Sequence, residues 1–450
     1  MKNTSSGPLC WLVLPSLWLC HTAVLAQQGA YWNGPTNSFL AQSNNFQTPP
    51  IGPTTPGTGQ FGAPYMGTSA LAGSSALNPV PIPAGSGLVN EGPFALYPHL
   101  LYRMTYGNDI RAQPGVNSTT LINTVAPGLL LKMGSHWYID YTPSLSFYSN
   151  PNFRDTTDQS VLLMGGTTYG DWSLSLSQSY VDTTQPLVET GTQVEQDAYA
   201  TALNAAWQMS GKMSLQLGLS QNFRFVQGFS SLHEWSTADW INCQFEPQFG
   251  AALGVTGGYD QLSLGSDMPF EQLLGRLVFR PGTKLNLTVS GGAEDRQFVS
   301  PSAPALITPI FDATMLYQIR DGTLLTLAGK RTVTPSLYGN EVNVITSVTA
   351  DLRQQIVGNL FFEATGGYTS EPFTSIVPGT LPYYFKGASP HTTLALTRSD
   401  SRTYAQVRLS TVFRTRLTGS VFYMFSDNAS SQSNFNYSGN QVGLEFSYRY

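Results

Sequence analysis

From Phe94 to the C-terminus the chain alternates apolar and polar residues in runs of roughly ten to fourteen, separated by turn-forming residues. Residues 213–226 show the pattern plainly. Leu215, Leu217, Leu219, Phe223 and Phe225 fall on one face, and Ser214, Gln216, Ser220, Asn222 and Arg224 on the other. Residues 136–147 repeat it, with Trp137, Ile139, Tyr141, Leu145 and Phe147 opposite Tyr138, Asp140, Thr142, Ser144 and Ser146. A two-residue period is that of a strand with one greasy and one polar side. The pattern predicts eighteen strands, over 94–106, 119–133, 136–148, 158–168, 172–182, 195–208, 213–227, 236–248 and 251–262, then 269–280, 284–296, 306–319, 323–333, 341–355, 359–371, 400–413, 417–427 and 439–450. Residues 389–427 admit a second parse, and sixteen is the alternative count.

The connections alternate in length. Short turns such as Gly134-Ser135, Tyr169-Gly170-Asp171, Arg320-Asp321-Gly322 and Val357-Gly358 take turns with longer polar stretches such as 107–118, 183–194 and 372–399. Short turns at one end and long loops at the other describe a transmembrane antiparallel β-barrel, with turns and both termini in the periplasm and loops outside. The fold class expected is therefore all-β. Composition agrees. Charged residues are 11% of the chain, against about 25% for an ordinary soluble domain. A soluble sandwich would carry Lys and Glu on its polar face, whereas here that face is mostly Ser, Thr, Gln, Asn and Gly. The net charge of −5 excludes a basic nucleic-acid footprint.

Ahead of the strands lie two other segments. Residues 1–26 read as a secretory signal peptide, with Lys2, an apolar core from Leu9 to Leu19, and Val24-Leu25-Ala26 before the cleavage point. Its removal takes Cys10 and Cys20 and leaves Cys243 alone, so no internal disulfide is expected in the mature chain. Residues 27–93 form a Pro/Gly/Ser-rich segment, free of charge up to residue 90, with no sustained periodicity. It is expected to be a disordered periplasmic segment or a plug, because it cannot bury enough apolar surface to offset its ordering entropy.

The ending Val442-x-Leu444-x-Phe446-x-Tyr448-Arg449-Tyr450 resembles the C-terminal signature of Gram-negative outer-membrane barrels. That resemblance implies that Phe446, Tyr448 and Tyr450 are read by the barrel assembly machinery. The usual last residue there is Phe, so Tyr450 departs from the pattern. The hairpin from Thr124 to Thr142, with Pro127-Gly128-Leu129-Leu130-Leu131-Lys132-Met133-Gly134 at its centre, is similar to the first hairpins of β-barrel porins associated with exopolysaccharide export. This second resemblance covers about twenty residues and implies a saccharide-related channel.

Eighteen strands imply an aqueous channel, since barrels of about eight fill with side chains. Alternation places Arg103, Lys132, Arg224, Arg276, Arg280, Arg320, Lys330, Arg353, Arg408, Arg414 and Arg449 on the lumen face. Asp140, Glu246, Glu294, Asp312, Asp351, Glu363 and Glu445 join them as anions. Two readings follow. The excess of cations attracts small polar or anionic solutes, or these charges pair across neighbouring strands and hold the wall. In the longest loop, Tyr383, Tyr384, Phe385 and Lys386 are candidates for a constriction that stacks on sugar rings, or for a surface loop at the membrane interface. The Gly- and Ala-rich strands at 195–208 and 251–262 are the candidate contact wall of a homotrimer. His99, His136, His233 and His391 fall in separate places without Ser or acidic neighbours in a catalytic pattern. Neither enzyme activity, nor a cofactor, nor a metal is expected. The alternative to a channel is a structural or adhesive barrel whose loops or N-terminal segment bind a partner.

Overall fold

The computed structural model describes residues 88–113, 116–187, 189–299, 304–376, 395–413 and 416–450. The expected signal peptide, nearly all of segment 27–93, Arg414, His391 and the loop residues Tyr383, Tyr384, Phe385 and Lys386 lie outside them. In chain order the strands are β1 (Val89–Glu91), β2 (Phe94–Gln113), β3 (Val116–Met133), β4 (Trp137–Tyr148), β5 (Thr156–Tyr169), β6 (Trp172–Thr183) and β7 (Gln196–Gln208). Then come β8 (Met213–Val226), β9 (Leu232–Glu246), β10 (Phe249–Leu262), β11 (Met268–Phe279), β12 (Leu285–Arg296) and β13 (Leu306–Arg320). The last are β14 (Thr323–Pro335), β15 (Glu341–Val357), β16 (Leu360–Ser375), β17 (Ala395–Phe413), β18 (Leu417–Ser430) and β19 (Tyr437–Arg449).

Strands β2 to β19 each pair antiparallel with their sequence neighbours, and β19 pairs with β2 from Gln441↔Gly107 to Arg449↔His99. The eighteen expected strands are therefore present and closed into a barrel along the seam between β19 and β2. Short β1 pairs with the first residues of β2, Val89↔Leu96 to Glu91↔Phe94. It occupies the edge of β2 that lies beyond the end of β19.

The pleat sorts the side chains. Large apolar residues on one face stand exposed, among them Leu217, Ile241, Leu253, Leu273, Val421 and Phe446. Water would not tolerate such a belt, and lipid does. Aromatic rings mark both edges of the belt. Trp172 stacks on Trp207 with centroids 5.7 Å apart, and Phe245 on Phe249 at 5.9 Å, near the short turns. Tyr180 with Tyr199 and Phe223 with Trp235 stand near the long loops, at 4.8 and 5.3 Å. The opposite face carries the buried polar and charged residues and lines the interior.

Several strands run further toward the long loops than the alternation indicated. Residues 107–113, 232–235, 372–375, 395–399 and 428–430 are strand rather than connection. Backbone pairing with an adjacent strand holds these polar stretches, although they lack an apolar face of their own.

Candidate functional site: the barrel lumen

The lumen has two unlike walls. On β6 and β7 the inward residues are small and uncharged: Ser173, Ser175, Ser177 and Ser179, paired through the ladder with Ala206, Asn204, Ala202 and Ala200. Ser214 and Ser220 extend this smooth wall onto β8. Nine strands round the ring from β6 and β7 stand β15 and β16, which is the diametrically opposite wall. There a belt of alternating charge begins. Arg353 faces Glu363 across β15 and β16, with Nε 3.6 Å from Oε1. Glu363 is directly opposite Arg408 on β17. Arg408 Nη1 donates to Glu445 Oε1 at 3.2 Å, and Arg103 Nε donates to Glu445 Oε2 at 2.9 Å. The guanidiniums of Arg103 and Arg408 also lie over the Phe422 ring, 5.8 and 5.5 Å from its centroid. Glu445 and Arg103 thereby join the last barrel strand to the first.

The remaining residues singled out from the sequence take individual places. Asp140 is buried and accepts from Thr142 Oγ1 at 2.9 Å, with His99 Nε2 3.1 Å away. Lys132 lies half-buried on the inward side close to the short turns. Arg276 covers the Trp240 ring at 3.7 Å. Asp312 and Lys330 are direct cross-strand neighbours. Arg280 Nε donates to Asn286 Oδ1 at 3.3 Å. Arg224 is buried high on β8. At the C-terminus Phe446 and Tyr448 point outward, while the Arg416 guanidinium sits 4.3 Å from the centroid of Tyr450. His233 also points outward and packs on Phe223 and Phe225.

The structure adds inward charges that the alternation did not bring forward. They are Arg296, Arg398 and Arg402 among the cations, and Asp158, Glu234, Asp260, Glu341, Glu371 and Asp400 among the anions. The additions contain twice as many acids as bases, so the cationic excess expected from the sequence falls away. Most sit at strand ends beside the long loops, where apolar alternation fades and a strand reads as a loop. Arg296, Arg398, Arg402, Asp260, Glu371 and Asp400 among them form ion pairs. Arg296 Nε donates to Glu294 Oε1 at 2.8 Å and Nη1 to Asp260, while its guanidinium stacks on Phe270 at 4.6 Å. Arg398 pairs with Asp400 at 3.0 Å between the rings of Phe373 and Phe435.

At the mouth beside the long loops two of the described loops meet. The β14–β15 tip, Ser336 to Asn340, springs from strands eight places round the ring from β6 and β7. It nevertheless meets the loop between β6 and β7. Glu189 Oε1 in that loop accepts from Ser336 Oγ at 2.7 Å and from the Leu337 backbone N–H at 2.9 Å. Glu189 O accepts from Tyr338 Oη and Arg398 Nη1, both at 3.1 Å. Leu337 packs with Leu187, Val194 and Val226. The Ser230 N–H donates to Leu337 O at 2.9 Å. At the turn itself Gly339 and Asn340 have φ of +63° and +51°, the left-handed region that lets the hairpin reverse in so few residues. Leu232, Leu262, Met268, Phe298, Val333, Val342 and Ile376 form an apolar cluster beneath the same hairpin. Nothing in the periodicity of 183–194 or 336–340 marked these loops as inward-folding.

No family model matches the chain. No curated protein matches it either. Solved structures of similar architecture exist. The chain resembles outer-membrane protein OpdK of Pseudomonas aeruginosa, crystallised with vanillate, with 12% identity over 79% of this chain and 98% of that one, TM-score 0.41. It resembles OpdO of the same organism at 14% identity over 79% and 97%, TM-score 0.41. OprD of P. aeruginosa is similar at 12% identity over 79% and 95%, TM-score 0.38. At TM-scores near 0.4 these likenesses extend to neither solute nor mechanism. The resemblance to exopolysaccharide-linked porins finds no counterpart among them.

Proposed function

We propose that the chain is a bacterial outer-membrane channel for the passive passage of small polar solutes. Its termini lie on the periplasmic side and its long loops outside. The observation that carries this reading is a closed barrel of eighteen strands whose inward face carries the buried polar and charged side chains. A barrel that wide holds water unless something fills it. The Ser/Ala wall on β6 and β7 gives the path, because its side chains are too short to reach the charged belt on the far side. That belt is paired within itself, which favours weak charge discrimination over strong anion preference. Saccharides and other uncharged or zwitterionic solutes fit such a lining through hydroxyl and amide hydrogen bonds. Phe446, Tyr448 and Tyr450 would serve recognition by the assembly machinery, and a homotrimer remains part of the proposal for the assembled state.

Single-channel recording of the refolded protein in planar bilayers tests the reading, with residues 27–87 present and deleted. Discrete conductance steps with a cation-to-anion permeability ratio of about one are expected, given how far paired charges cancel. Strong selectivity for either sign would reject the weak-discrimination statement. Steps seen only after deletion would make the N-terminal segment a plug. A second reading, a structural or adhesive barrel, is favoured by one observation, the tightly packed mouth. Silence in every form of a correctly folded barrel would select it.

A further inference from the structure

The mouth holds one acid with an unusual position. Glu189 is 2% exposed, and it joins two elements that come from nearly opposite sides of the ring. Its Oε1 holds the β14–β15 tip through two hydrogen bonds, whereas its buried Oε2 has no hydrogen-bond partner. The charged groups that face it are Arg224 from β8, Arg398 from β17 and Glu371 from β16. Besides this carboxyl group the two loops meet through the Glu189 carbonyl, which accepts from Tyr338 Oη, and through the packing of Leu337 on Leu187 and Val194. A carboxylic acid in such a place is neutral, whereas a carboxylate leaves a buried charge with one oxygen unpartnered.

We propose that Glu189 is the proton-sensitive latch of a gate, holding the β14–β15 tip across the mouth when protonated and releasing it when ionised. The inference rests on the channel reading above. Burial pushes the Glu189 carboxyl above its ordinary range, and the nearby arginines and the Ser336 and Leu337 donors only partly oppose that. With the tip released the carboxyl meets water and titrates near its ordinary value of about 4.3. The sign follows. A group whose pKa is raised in the latched state supports that state fully below the unlatched pKa. The support is lost as pH rises through the latched pKa. The mouth therefore closes in acid and opens toward neutrality. Between the two pKa values the closed-to-open ratio falls up to about tenfold per pH unit.

Two readouts test it. The first is open probability in planar bilayers from pH 4 to 8, for the wild type, Glu189→Gln and Glu189→Ala. The wild type should open as pH rises. The glutamine keeps an acceptor for Ser336 and Leu337 and cannot ionise, so it should stay closed and flat with pH. The alanine should stay open and flat. The second readout needs no conduction. A Leu337→Cys substitution, in a Cys243→Ser background, is labelled with a membrane-impermeant maleimide, with Glu189 intact and with Glu189→Gln. The labelling rate with Glu189 intact should exceed that with Glu189→Gln by a factor that grows with pH. A constant ratio, or the same pH profile in wild type and Glu189→Gln, overturns the latch. Absence of conduction together with a growing ratio would overturn the channel and leave the latch standing.

Discussion

Glu445→Gln should loosen the seam where the barrel closes. Glu445 on β19 accepts from Arg103 on β2 and from Arg408 on β17, at 2.9 and 3.2 Å through their Nε and Nη1. The side chains of Arg103, Glu445 and Arg408 are 3, 7 and 7% exposed. Losing one member of a buried ion pair costs about 3–5 kcal/mol, because the charge left behind stays out of water. Here Glu363 stands opposite Arg408 and takes up part of the loss, so about 2–3 kcal/mol is expected, a thirty- to hundredfold change or more in the folding equilibrium. The assay is reversible urea unfolding in lipid vesicles, followed by tryptophan fluorescence and by heat-modifiable gel mobility. The double variant Arg103→Met with Glu445→Gln should cost less than the sum of the single changes, with a coupling of about 1 kcal/mol or more. A loss under about 0.5 kcal/mol, or strict additivity, would refute the reasoning and make the contact incidental.

Three further outcomes are expected from other parts of the wall. Gly443→Ala should destabilise the barrel by about 1–3 kcal/mol, since a Cβ there meets the Phe422 ring and lies 2.6 Å from the Met104 carbonyl oxygen; unchanged urea midpoints would show that β18 and β19 can shift. Ala202→Trp, on the inward face of β7 opposite Ser177 and Ser220, should cut single-channel conductance to roughly half or less if solutes follow the smooth wall, and full conductance would place the path elsewhere. Asp239 points outward, exposed between Leu217 and Val255, so Asp239→Leu should stabilise the protein in bilayers by about 1–2 kcal/mol; a destabilised variant would mean that something other than lipid covers this acid.

The periodicity alone set out a large part of the molecule. Period-two alternation is a local property, and it held for all eighteen strands, from the Leu215–Phe225 stripe to the Val442–Tyr448 stripe. Alternating turn and loop lengths likewise told the two ends apart, because a two- or three-residue connection can only join adjacent antiparallel strands. Arg103, Arg353 and Arg408 could be assigned inward from parity. Their partners could be paired with them only once register was known, since Glu445 lies 342 positions from Arg103 in the chain.

Ring closure decided the rest. It set β14 and β15 nearly across from β6 and β7, and so brought Ser336 and Leu337 to Glu189, some 147 residues away. Neither loop carries a pattern that foretells this, because each is largely polar and without sustained alternation beside its own strands. Strand ends such as Arg398 and Asp400 were hidden for a related reason: they are held by pairing to β16 and β18 rather than by an apolar face. What the chain encodes locally is which way each side chain points. Which residues then meet across the lumen depends on strand number, register and closure, which are properties of the whole sheet.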